Sequence, residues 1–140
     1  MEAKATWKGR MTFEGLSAKG FKVPMDTSSA AGGDDNGFSP MELVLTGLAG
    51  CTAMDVISIL EKKRQEVTGF EVLAHAERST EHPKVFTSIV LEYIVTGHQV
   101  DRVAVERSVE LSATKYCSVS GMLGQVVKIE NKITVLEAES

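Results

Sequence analysis

Cys51 and Cys117 are the only thiols in the chain, and each sits in a segment that leaves room beside its sulfur. Cys51 lies in Gly47-Leu48-Ala49-Gly50-Cys51-Thr52-Ala53-Met54, the small-residue stretch of a long apolar run. Cys117 follows an amphipathic run, between Lys115-Tyr116 and Ser118-Val119-Ser120. A thiol acts as a nucleophile only as its thiolate, which needs a nearby cation, a helix N-terminus or hydrogen-bond donors. About three turns into a helix, Cys51 gains little from that helix's own dipole. Asp55, four residues on, shares its face and opposes ionisation. Two readings stand for Cys51 on these grounds: an inert buried cysteine, or a thiol activated from another segment.

Glu42 and Arg10 are the candidates for that activation. Glu42 has a plain role as a capping carboxylate, and a second one as the group that orients a cation. It stands nine residues before Cys51, about 13 Å along a helix, so direct contact within one helix is excluded. Arg10, in a turn between strands, is the candidate cation. Asp55, charged within an apolar helix, calls for a partner such as a lysine or arginine. Two cysteines cannot complete a four-thiolate zinc site, and His75, His82 and His98 show no ligand spacing with them. No metal or other cofactor is expected.

The elements that must hold these residues can be read from pattern. Ala3–Lys8, Met11–Glu14 and Phe21–Val23 alternate as a meander, turning at Gly9-Arg10. Thr27–Phe38 reads as a loop. Ser39-Pro40-Met41-Glu42 combines an N-cap serine, an N1 proline and an N3 glutamate, opening a helix expected from Pro40 to about Arg64. Its middle is apolar on nearly every side, which requires burial all round and predicts a homodimer that supplies the missing wall. Strands are expected at Gly69–Arg78 and Val85–Thr96, a helix at Asp101–Tyr116, a short helical continuation at Ser118–Gln125, and a last strand at Val126–Leu136. The order predicts an α+β protein with an antiparallel sheet.

At 140 residues with 43% hydrophobic content, a single domain over residues 1–140 is the expectation. A net charge of −4 without a basic block argues against nucleic acid as a partner. Nothing at the start resembles a secretory n-region or h-region, and no uninterrupted apolar run of the roughly 18–20 residues of a membrane span is expected. The expectation is a cytoplasmic protein without a membrane partner, where paired cysteines do redox work more often than they form structural bridges.

Ser39-Pro40-Met41-Glu42-Leu43 with the Ala/Gly-rich approach to Cys51, and Lys115-Tyr116-Cys117-Ser118-Val119-Ser120, resemble the two motif segments of the OsmC/Ohr superfamily, closest to its small OsmC-like branch. The 66-residue separation of the cysteines and the order of elements fit as well. The resemblance implies an intertwined homodimer with two central cysteine-bearing helices and active sites at the dimer interface. It implies a thiol peroxidase of oxidative-stress defence, acting on organic hydroperoxides. Cys51 would be the peroxidatic thiol, Cys117 the resolving one, and a dithiol or thioredoxin-like protein the reductant. In the family pattern a glutamate directly follows the proline. Here Met41 takes that place and Glu42 comes one residue, about 100° of helix, later; Arg10 matches the activating arginine by position only. That departure motivates an alternative on the same scaffold: a non-enzymatic small-molecule-binding or thiol redox-sensing protein.

Overall fold

The computed structural model describes Met1–Ser140, which form two compact units, Met1–Val44 and Leu45–Ser140. The first is a meander of β1 (Ala3–Gly9), β2 (Thr12–Ser17) and β3 (Lys22–Met25), antiparallel in the order β1-β2-β3. Gly9 and Arg10 both take positive φ at the first turn, and the Trp7 indole N–H closes it on the Arg10 carbonyl at 2.7 Å.

The segment after β3 is more ordered than the loop expected from composition. Ser29–Ala31 form a turn of 3₁₀ helix, and the buried Asp26 organises the rest. Its carboxylate accepts from the Thr12 hydroxyl at 2.7 Å and from the backbone N–H groups of Thr27 and Asp34 at 2.7 and 3.4 Å. These bonds, that from Thr12 foremost, hold its carboxyl below the ordinary value. Gly33 lies against this cradle, where a Cβ would collide with the Thr27 carbonyl.

The predicted capping box is present: the Ser39 N–H reaches Glu42 Oε1 at 3.0 Å, and the Glu42 N–H reaches Ser39 Oγ at 3.2 Å. It opens α1 (Pro40–Lys62), whose first turn lies in the first unit and whose remainder belongs to the second. The helix stops slightly earlier than expected. Arg64 turns to φ 57°, while the N–H groups of Arg64 and Gln65 bond back to the carbonyls of Glu61 and Leu60, closing a Schellman cap.

In the second unit, β4 (Glu66–Arg78) runs antiparallel to β5 (Phe86–His98), and β6 (Ile129–Glu137) runs parallel to β5, in the order β4-β5-β6. This corrects the wholly antiparallel expectation. The connection from β5 to β6 passes through two helices and is long enough to return the chain to the starting end of the sheet, as a parallel neighbour needs. β5 is the centre of the core: Ile89, Leu91, Tyr93 and Val95 alternate inward and are almost wholly buried.

α2 (Arg102–Leu111) begins at Asp101, whose side chain accepts from the Val103 N–H at 3.0 Å. The unbroken helix expected to Tyr116 is interrupted: Ser112–Tyr116 form a π-helical turn, followed by α3 (Ser118–Leu123). The Thr114 hydroxyl donates to the Glu110 carbonyl at 2.8 Å across the junction of α2 and the π-helical turn.

α1 buries one stripe at every fourth residue, Leu48, Thr52, Val56 and Leu60. Each of its three apolar members contributes about 1.5–3 kcal/mol by leaving water. The rest of its apolar surface is only partly covered, with Met54 at 73% exposure. By length and composition α1 is apolar enough to cross a membrane, contrary to the expectation that no run in the chain is. Its Thr52 is nonetheless buried in a side-chain hydrogen-bond chain, as suits a core helix.

Candidate active site

Three elements of the second unit converge on the two cysteines. α1 carries Cys51, Thr52 and Asp55; β5 contributes Tyr93; the π-turn contributes Ser112 and delivers Cys117 at its end. Cys51 and Asp55, one helical turn apart, share a face, and Thr52 beside them points inward. The Cys117 N–H closes the π-turn on the Ser112 carbonyl at 2.9 Å. Such turns recur at functional sites, where one added residue re-aims the side chains after it.

The cysteines, distant in sequence, are brought together. Sγ of Cys51, Sγ of Cys117 and a carboxylate oxygen of Asp55 all lie within 4.8 Å of one another. Both thiols are free, Cys51 partly exposed and Cys117 buried. Burial pushes the Cys117 thiol up, and the neighbouring Cys51 sulfur adds to the rise; hydrogen bonding from Ser120, including its N–H to Sγ at 3.4 Å, works against it. Added Cβ atoms at Gly47 and Gly50 would meet nothing within 4 Å, so the small residues around Cys51 do leave open space on their helix.

Behind the thiols runs a chain of hydroxyls. Tyr93 Oη is 2.8 Å from Thr52 Oγ1, Thr52 Oγ1 is 2.8 Å from Ser112 Oγ, and Ser112 Oγ donates to Asp55 Oδ2 at 2.9 Å. Each hydroxyl has a single proton. Because Ser112 gives its proton to Asp55, Thr52 must donate to Ser112 and Tyr93 to Thr52, so all three dipoles point toward the carboxylate. Burial pushes the Tyr93 hydroxyl up to about 12 despite the Thr52 bond, with the charges of Cys117 and Asp55 adding to the rise, and Tyr93 stays a neutral donor. The partner of Asp55, expected to be a cation, is thus a serine hydroxyl.

The other two expected site residues lie in the first unit, each with local partners. Arg10 pairs with Asp34 through Nε at 2.9 Å and donates to the Gly32 carbonyl at 3.2 Å. Glu42 closes the capping box, and its bonds with Ser39 hold its carboxyl below the ordinary value. Sequence reasoning missed Thr52, Tyr93 and Ser112. The available signal was a polar residue inside an otherwise apolar helix or strand, since such groups are buried only with partners.

The OsmC-like protein family model matches residues 32–132. Protein YhfA of Escherichia coli is 46% identical over 138 residues, covering 99% of this chain and all of the relative. A hypothetical protein from Aquifex aeolicus has a solved structure with TM-score 0.87 and 30% identity, over 99% of this chain and 97% of that one. An organic hydroperoxide resistance protein OsmC from Legionella pneumophila shares the fold, with TM-score 0.74 and 17% identity over 96% of each chain. The extent of the family match, and the near-full-length likeness at 46% identity, make this chain a member of the OsmC-like protein family.

Proposed function

We propose that the protein is a thiol-dependent peroxidase that reduces organic hydroperoxides in oxidative-stress defence, with Cys51 peroxidatic and Cys117 resolving. The observation that carries this reading is the approach of two free thiols, one partly exposed and one buried, to within 4.8 Å. The more open sulfur suits attack on a peroxide, and the buried one suits the subsequent condensation. Cys51 thiolate attacks the terminal oxygen of the hydroperoxide, the S–O bond forms as the O–O bond breaks, the departing alkoxide takes a proton from water and leaves as the alcohol, and Cys51 becomes a sulfenic acid. Cys117 displaces hydroxide from that sulfur, forming a disulfide and water. A dithiol or thioredoxin-like reductant then restores both thiols by exchange, itself becoming the disulfide. A reducing cytoplasm supplies such a reductant. The name of the Legionella relative is in keeping with this substrate class.

Arg10, oriented by Glu42, is the proposed cation for Cys51. In this role it must exchange its Asp34 partner for the thiolate. A homodimer completes the reading, and the apolar side chains that α1 leaves uncovered, Met54 above all, support a second copy as their cover.

A specific observation favours a second reading, a small-molecule-binding or redox-sensing protein without turnover. Arg10 is already paired with Asp34 and Glu42 is already used in its cap. Steady-state reduction of cumene or tert-butyl hydroperoxide by the wild-type protein with a dithiol reductant separates the two. Turnover that depends on Cys51 is expected; disulfide formation without turnover would favour the sensor.

A further inference from the structure

We propose that Asp55 is the proton carrier of the disulfide-forming step, taking the proton of the Cys117 thiol and handing it to the hydroxide that leaves Cys51. This rests on the two-cysteine cycle proposed above. When Cys117 attacks the Cys51 sulfenic acid, the S–S bond forms and the S–O bond breaks. One proton leaves Cys117 and one is gained by the departing oxygen, so the step yields disulfide and water with no further reactant.

The first support is placement. An Asp55 oxygen lies within 4.8 Å of both sulfurs, a gap that a rotation of the thiol or one bridging water spans. The second is need: Cys117 is buried, and its neighbour Ser120 offers Sγ an N–H donor, which cannot accept a proton. The third is construction. Three hydroxyls from α1, β5 and the π-turn point their donors in series at Asp55, a preorganised set of dipoles that fixes a carboxylate beside two thiols. Asp55 also borders a cavity of about 280 Å³ with Ser58, Ile59, Lys62, Leu111 and Tyr116, an exit for the water formed. The titratable groups around it are therefore Cys51 and Lys62 on α1, Tyr93 on β5, and Tyr116 and Cys117 from the π-turn and its end.

The test isolates condensation. Sulfenic acid is generated with a pulse of excess hydrogen peroxide, and its lifetime is read by dimedone trapping and mass spectrometry across pH. Asp55→Asn keeps the volume and an acceptor for Ser112 but cannot carry the proton. Its sulfenic acid should persist tenfold longer or more, with a condensation rate that climbs with hydroxide, about tenfold per pH unit, while the wild type stays flatter. Asp55→Glu should keep the wild-type pH profile, and it carries the test if Asp55→Asn fails to fold. Wild-type condensation in Asp55→Asn, a slow rate that retains the wild-type profile, or a hydroxide-dependent Asp55→Glu overturns the proposal. A wild type that forms the disulfide under this pulse yet does not turn over organic hydroperoxide defeats the peroxidase reading alone, and the Asp55 comparison still decides.

Discussion

Ser112 donates its hydroxyl to Asp55 at 2.9 Å, joining the π-turn before the second cysteine to the helix face that carries the first. The residues are 57 positions apart in sequence, and the bond holds Asp55 beside the two thiols, within 4.8 Å of both sulfurs. Thr52 reaches the same Ser112 oxygen from the buried side of α1, so one serine serves both the carboxylate and the core.

Breaking that chain should register in stability. Thr52→Val conserves shape but leaves the buried Tyr93 hydroxyl without its acceptor. A loss of about 1–3 kcal/mol is expected from desolvating an unpaired polar group, measured as a lower urea midpoint at unchanged slope. Wild-type stability in this variant would mean that the hydroxyls find other partners.

Cys51→Ser should abolish organic hydroperoxide reduction while leaving the fold intact, since serine nearly conserves volume but does not attack the O–O bond at neutral pH. Residual turnover at the wild-type level would remove Cys51 from the chemistry.

Oxidised protein should contain one intramolecular Cys51–Cys117 disulfide, seen by mass spectrometry of the unreduced peptide pair. A bridge requires Cα atoms within about 7 Å or a small shift to that distance. Intermolecular dimers as the sole product would contradict it.

Alkylation against pH separates the two thiols. Because Cys117 is raised above the ordinary thiol value, by burial first and by Cys51 second, its thiolate appears only at higher pH and its alkylation should start later than that of a free thiol. In Cys51→Ser part of the rise disappears, and the Cys117 curve should move to lower pH. Arg10→Ala should move the Cys51 curve to higher pH and slow peroxide reduction tenfold or more, with little change in stability. If neither rate responds, Arg10 is not the activating cation.

The protein should sediment as a dimer that buries well over about 2,000 Å², the scale of obligate interfaces. Met54→Glu, placing a charge on the exposed apolar side of α1, should shift it toward monomer. A wild-type protein that stays monomeric and stable at micromolar concentration would refute the dimer.

Local chemistry was legible in the chain alone. Ser39, Pro40 and Glu42 lie within one turn, so the capping box and the start of α1 arise from residues that see only each other. The inward alternation of Ile89, Leu91, Tyr93 and Val95 likewise reflects the period of a strand. The motif segments around Cys51 and Cys117 carried the family resemblance because they are continuous in sequence. Features that the chain by itself did not determine depend on partners far apart along it. Whether β6 lies parallel or antiparallel to β5 is decided by how the intervening helices pack back onto the sheet. The amphipathic pattern of Asp101–Tyr116 reads as one continuous helix and carries no mark of the π-turn at Ser112–Tyr116. The hydroxyl chain needs Thr52, Tyr93 and Ser112 brought together from three elements, and no spacing rule links them. Buried polar groups must be paired, but only the tertiary structure chooses the partner, and here it chose a serine for Asp55 where charge alone suggested a cation.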